Sequence, residues 1–215
     1  MLECVANVSE GRDAGGIDAL VWACRNSLLD VHSDPDHNRS VFTLAGPGAH
    51  DAEEAVRSLA VAVARSVSVV GHVGVHPKLG ALDVVPFVAL DGTGSPRGDA
   101  VEAALAFARW WSDAFEVPVF LYGDASPGKA TLPQVRRDAF RTEQPDHGPS
   151  APHPSLGATA VGARPPLVAV NCDLDVADLA VARRIASAVR EAGGGCPASG
   201  RWGCGSPLPD ARRSR

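Results

Sequence analysis

Residues 51–67 read Asp-Ala-Glu-Glu-Ala-Val-Arg-Ser-Leu-Ala-Val-Ala-Val-Ala-Arg-Ser-Val. The apolar positions Ala52, Ala55, Val56, Leu59, Ala60, Val63 and Val67 recur at spacings of three and four, which makes one stripe of an α-helix. Arg57 and Arg65 lie off the stripe. Asp51, Glu53 and Glu54 fall in the first turn, where the positive end of the helix dipole favours anions. A helix with one apolar stripe must bury it, and the flanking segments show against what.

Upstream, residues 40–45 read as a strand, 33–38 (Ser-Asp-Pro-Asp-His-Asn) as a turn-rich loop and 28–32 as a short strand. Ile17, Leu20, Val21 and Cys24 carry helical spacing, and residues 2–8 alternate as a first strand. Downstream come an irregular loop at 72–82 and a strand at 83–90, where Pro86 suggests an edge or a bulge. Residues 99–115 form a third helix and 117–122 a compact apolar strand. Residues 123–165 show little periodicity, so they read as a long functional or disordered loop. A strand at 166–173 and a helix at 176–192 follow, the latter closed by Gly193, Gly194 and Gly195.

Helices alternating with strands predict an α/β sandwich: a mixed β-sheet with helices packed on one face. The first six elements, β-α-β-β-α-β, match the split βαβ arrangement. Residues 1–195 read as one domain. Residues 196–215 contain no Val, Ile or Phe and read as a disordered tail, because such a segment buries too little apolar surface to offset its ordering entropy.

The chain has 215 residues, 45% hydrophobic and 21% charged, with net charge −5. That balance argues against nucleic acid and an anionic membrane surface as partners. No apolar run reaches the roughly 18 residues of a membrane span, and the N-terminus lacks a secretory pattern, so a cytoplasmic protein is expected. Five cysteines, none in a C-x-x-C pair, favour reduced thiols over disulfides or a zinc site.

The chemistry concentrates in residues 72–83, His-Val-Gly-Val-His-Pro-Lys-Leu-Gly-Ala-Leu-Asp. His72 and His76 could share a helix face and a metal, but Pro77 pushes His76 away from the α region. No metal is therefore expected. His76 suits a general acid/base, since imidazole exchanges protons near neutral pH, and a solvated loop histidine is the plain alternative. Arg39 and Lys78 are candidate anion clamps, the guanidinium better matched to a carboxylate. Asn7–Gly11 (Asn-Val-Ser-Glu-Gly) joins a strand to a helix; it suits either ligand binding or capping by Ser9 or Asp13. Gly148–Gly157 is too rich in proline for regular structure and reads as a rigid ligand loop or a linker. No P-loop or dinucleotide fingerprint occurs.

Several pieces together resemble the formiminotransferase family. They are Glu3–Gly11 (ECVANVSEG), Leu29–Val31 with Asn38–Thr43 (NRSVFT), His76–Phe87 (HPKLGALDVVPF), Val117–Gly123 (VPVFLYG), Gly148–Ser150 and Gly157–Arg164 (GATAVGAR). They stand in family order over residues 2–195. The resemblance implies transfer of a formimino group from N-formimino-L-glutamate to N5 of tetrahydrofolate, the acceptor substrate. It implies His76 as the catalytic residue and a folate site including Gly148, Pro149, Ser150, Ser155 and Gly157. Chemical fit then suggests Asn7, Glu10, Asn38, Arg39, Lys78 and Asp83 for the substrate: cations for the glutamate carboxylates, Glu10 or Asp83 for the cationic amidine. Val75 and Lys78 stand where the family usually has glutamate and arginine. The resemblance ends near Gly195, so the family's second subdomain is expected to be absent. The alternative is then a non-catalytic folate-binding or interaction module. A homodimer is a further expectation.

Overall fold

The structure, a computed structural model, describes residues 1–46, 50–90, 97–167 and 174–189. They divide into two compact units, 1–166 and 167 onward. The second unit contains a helix, α5 (Leu179–Val189). The strand expected at 166–173 lies almost wholly outside the described residues, and so does the tail at 196–215.

The first unit contains β1 (Leu2–Val8), α1 (Ala14–Cys24), β2 (Leu28–Asp34), β3 (Arg39–Ala45), α2 (Asp51–Ser66), β4 (Leu82–Ala89), α3 (Arg97–Phe115), β5 (Val119–Gly123), α4 (Leu132–Asp138) and β6 (Thr159–Ala163). One mixed sheet runs β2-β3-β1-β4-β6-β5. Its first four strands are antiparallel neighbours in the split βαβ order, whereas β4, β6 and β5 run parallel. The α/β architecture is thus the expected one.

The helical stripe at 51–67 does what its spacing requires. Ala52, Val56, Leu59, Ala60 and Val63 are buried with Leu20 of α1, Trp111 of α3 and the inward side chains Cys4, Phe42 and Phe87 of the sheet. Burying one such leucine side chain contributes about 1.5–3 kcal/mol. The three long helices cover this one face. The short α4 lies on the other face, where Val135 packs with Val84, Phe120, Tyr122 and Ala160.

Three sequence expectations are corrected. Residues 123–165 are not one loop, since they hold α4 and β6. All five residues of β6 are buried, so the strand lacks the alternation that marks a half-exposed one. Pro86 lies in a central strand, not at an edge. Its partner on β6 is Gly162, and the ladder to β1 has partners at Phe87 and Val84 but skips Pro86, which lacks a donor. The bulge sits instead at Asn7–Val8, opposite Leu82–Val84. Finally, neither Ser9 nor Asp13 caps α1 through its side chain; the Ser9 hydroxyl donates to the Gly80 carbonyl at 2.8 Å.

Candidate functional site

The site forms where β1 ends and where β3 and β4 begin. Val8 pairs with both Ser40 and Leu82, so these three strand ends are neighbours. The bulge shifts the register there and interrupts the inward-outward alternation of side chains. Leu82 and Val85 belong to the helix-side core while Val84 joins the opposite cluster. Asp83, only 1% exposed, is bound from the α4 side.

Asp83 is held by two groups. Oδ1 accepts the Leu79 N–H at 2.6 Å, and Oδ2 receives Arg136 Nη2 of α4 at 2.5 Å. The same guanidinium donates through Nη1 to the Pro77 carbonyl at 2.5 Å. Arg136 therefore ties the residue after His76 to the buried carboxylate at the start of β4. No periodic feature marks Arg136, which lies in the stretch read as a loop. Its readable signal is Thr131-Leu-Pro-Gln134, a capping-box start in which Gln134 Oε1 accepts the Thr131 N–H at 2.7 Å.

The loop 72–78 is docked on the β2–β3 turn. Asn38 Nδ2 donates to the Val73 carbonyl at 3.1 Å, His72 Nε2 meets the Asn38 carbonyl at 3.0 Å, and Val75 N–H donates to the Asp36 carbonyl at 3.2 Å. Gly74 is required here, because a Cβ would strike the His37 carbonyl. Asn38 takes a positive φ of 49°, a conformation asparagine tolerates better than most residues, and its Oδ1 accepts the Gly11 N–H at 3.0 Å. On the other side, Gly157 adopts φ 70° and packs against the Leu79 carbonyl. Residues 153–158 pair there with Leu79–Ala81.

His76 sits half-buried in this frame. Burial first, then the guanidinium groups of Arg39 and Arg136, push its pKa down from 6.5 to about 4, with Asp83 opposing in part. Arg39 is itself shifted down by burial and by Arg136, against the pull of Asp83 and Asp34. Three buried polar atoms have no protein partner among the described residues: Asn7 Oδ1, Arg39 Nε and His72 Nδ1. Unpaired buried groups of this kind are expensive, and a polar ligand would satisfy those that face it.

The other sequence-derived site residues are placed as follows. Glu10 Oε1 accepts the N–H groups of Arg12 and Asp13. Lys78 Nζ donates to the His72 carbonyl at 3.1 Å. Gly148 has φ 85° and packs against the Ser112 hydroxyl near the start of β5, while Pro149 and Ser150 are exposed. The Ser155 carbonyl accepts the Val69 N–H at 2.8 Å. Asn7, Asn38, Arg39, His76 and Asp83 thus converge at the strand ends, while Gly148–Ser150 stands apart beside β5. His37 is a further neighbour that residue types did not reveal; its ring centroid lies 6.0 Å from that of His76. Among the described residues no cluster of three or more His, Cys, Asp or Glu could hold a metal. Cys4 and Cys24 are buried free thiols. Also among the described residues, no helix is long and apolar enough to cross a membrane.

Residues 1–164 match the formiminotransferase domain, N-terminal subdomain. The glutamate formimidoyltransferase of Streptococcus pyogenes serotype M1 is 37% identical over 210 residues, covering 91% of this chain and 69% of that protein. That of Thermoplasma acidophilum is 34% identical over 212 residues, with 91% and 69% covered. The formimidoyltransferase-cyclodeaminase of Sus scrofa is 38% identical over 216 residues, covering 94% of this chain but 39% of that protein. With this extent of similarity, the chain belongs to the formiminotransferase family, and residues 1–164 are its N-terminal subdomain.

Proposed function

We propose that this chain transfers the formimino group of N-formimino-L-glutamate to N5 of tetrahydrofolate, with His76 as general acid/base. The carrying observation is the half-buried His76 between two guanidinium groups and a buried carboxylate, its pKa lowered to about 4. At neutral pH such an imidazole is an unprotonated base. It can take the N5 proton as nitrogen attacks the amidine carbon, then return it to the departing glutamate nitrogen.

The unpaired polar atoms support the substrate assignment. Arg39 Nε is a free donor for a substrate carboxylate, and Asn7 Oδ1 a free acceptor for the amidine N–H. Asp83 adds negative charge near the amidine, although both its oxygens already serve the loop. Asn38 orients this floor, and Glu10 and Lys78 brace the loops around it. The segment containing Gly148, Pro149, Ser150, Ser155 and Gly157 would border the folate.

The test follows the 5-formimino product from purified protein, formiminoglutamate and tetrahydrofolate. Removing a general acid/base costs about 10²–10⁴-fold, so His76→Ala is expected to lose at least a hundredfold in kcat. Equal rates for wild type and variant would refute the role of His76. Calorimetry with a folate analogue distinguishes the second possibility: binding without any turnover would make the chain a folate-binding module.

A further inference from the structure

A second imidazole stands beside His76, and it has its own carboxylate. Asp34 closes the β2–β3 turn. Its Oδ1 accepts the N–H groups of Asp36 at 2.8 Å and His37 at 2.9 Å, and its Oδ2 meets His37 Nδ1 at 2.6 Å. Burial works against the ionised Asp34, but these bonds from His37 and Asp36 hold its pKa below the usual range. The carboxylate therefore fixes the ring through Nδ1 and leaves Nε2 of His37 without a partner among the described residues. The two imidazole centroids are 6.0 Å apart with planes at 56°. The loop-to-turn bonds of Asn38, His72 and Val75 set that separation. The His37 side chain is 33% exposed, so the ring that neighbours His76 is also open to water.

The proposed reaction has a proton balance that one histidine does not close. N5 forms a bond to the amidinium carbon and gives up its proton. The bond from that carbon to the glutamate nitrogen breaks, and its electron pair stays on nitrogen. The proton from N5, returned through His76, leaves this nitrogen as a neutral amine. The amidinium keeps its charge, since amidines are strong bases, and an α-amine of ordinary basicity becomes an ammonium at neutral pH. Each turnover therefore takes one proton from water.

We propose that His37, oriented by Asp34, is the solvent-facing proton carrier of this site and delivers that proton through His76. This rests on the reaction assigned above. His37 faces Asp34 on its own turn and His76 across the gap. His76 faces Arg39 of β3, Arg136 of α4 and Asp83 of β4. Burial and those two guanidinium groups disfavour a resting proton on His76, so the proton arrives from outside, by way of the ring held by Asp34. Imidazole is the side chain suited to that exchange near neutral pH. His37 acts through His76 and contacts no reacting atom itself.

His37→Gln separates relay from packing. The expected result is a kcat lower by on the order of tenfold at pH 8, less than the roughly 10²–10⁴-fold of a residue that exchanges the proton with substrate directly. KM for both substrates should stay within about twofold. Millimolar imidazole should restore the variant and leave wild type unchanged. Asp34→Asn should weaken kcat less, with the same KM. Unchanged kcat in His37→Gln, or a loss with raised KM that imidazole does not restore, overturns the relay. A second readout needs no turnover: the pH titration of the His76 ring resonances should differ between wild type and His37→Gln. If wild type makes no product, the reaction assigned above fails by itself. A His76 titration indifferent to His37→Gln then overturns the coupling as well.

Discussion

The two faces of the sheet are built on opposite rules. On the helix side, Trp111, Phe42, Phe87 and Leu59 are fully buried, and almost every inward side chain is apolar. At the strand ends on the other side, a carboxylate, two guanidinium groups and the rings of His37 and His76 are neighbours, and Asn7 Oδ1, Arg39 Nε and His72 Nδ1 are buried without a partner among the described residues. The first arrangement lowers free energy locally through burial. The second is held in place by hydrogen bonds spanning 27 residues (Gly11–Asn38), 53 (Arg136–Asp83) and 59 (Arg136–Pro77). Stability and reactivity are therefore expected to respond to different substitutions.

The largest effect should come from the helix side. Trp111 is fully buried, its ring centroid 4.6 Å from that of Phe115, and its Nε1–H donates to Thr159 Oγ1 at 2.9 Å. Trp111→Ala is expected to lower unfolding free energy by about 3–5 kcal/mol, read by urea titration. Below its unfolding midpoint, the variant should retain the wild-type titration of His76. A shifted titration would show that the two faces are coupled and would break the comparison.

Arg136→Met tests the site side, and it should move both quantities. Removing one partner of a buried ion pair costs about 3–5 kcal/mol; with Arg136 17% exposed and Asp83 1%, about 2–4 kcal/mol is expected. Loss of a guanidinium near His76 should also raise the imidazole pKa, seen by NMR titration. Destabilisation with no change at His76 would make Arg136 a structural brace only.

The contrast also explains what could be read in advance. Helix α2 was legible because Ala52, Val56, Leu59 and Val63 repeat with the helical period, and β1 because Cys4, Ala6 and Val8 alternate. Strand β6 was not, since a strand buried on both faces has no alternation and Thr-Ala-Val-Gly-Ala looks like loop composition. His76 was legible as a candidate from its setting in His-Pro-Lys-Leu-Gly. Arg136 and His37 were not, because their importance lies in what the fold brings beside them: the Pro77 carbonyl for one, the His76 ring for the other. Periodicity reports a residue's relation to a layer; it carries no information on which loop a distant side chain meets.

The smallest effect, and the sharpest separation of the two faces, is expected from Arg39→Met. Arg39 is the second cause of the lowered pKa of His76, after burial. A nearby positive charge disfavours imidazolium. Its removal should raise the pKa of His76, so the acid limb of kcat/KM, where the base becomes protonated, should move to higher pH. The limb should stop short of 6.5, because burial is untouched. Folding stability carries the same sign. Between pH 6.5 and 4 the unfolded chain binds a proton that folded His76 refuses, so this group's contribution falls as pH drops through that window. In Arg39→Met the window should narrow from its low end. An acid limb that stays fixed while substrate affinity falls would show that Arg39 acts only as a carboxylate clamp and that burial and Arg136 set the base.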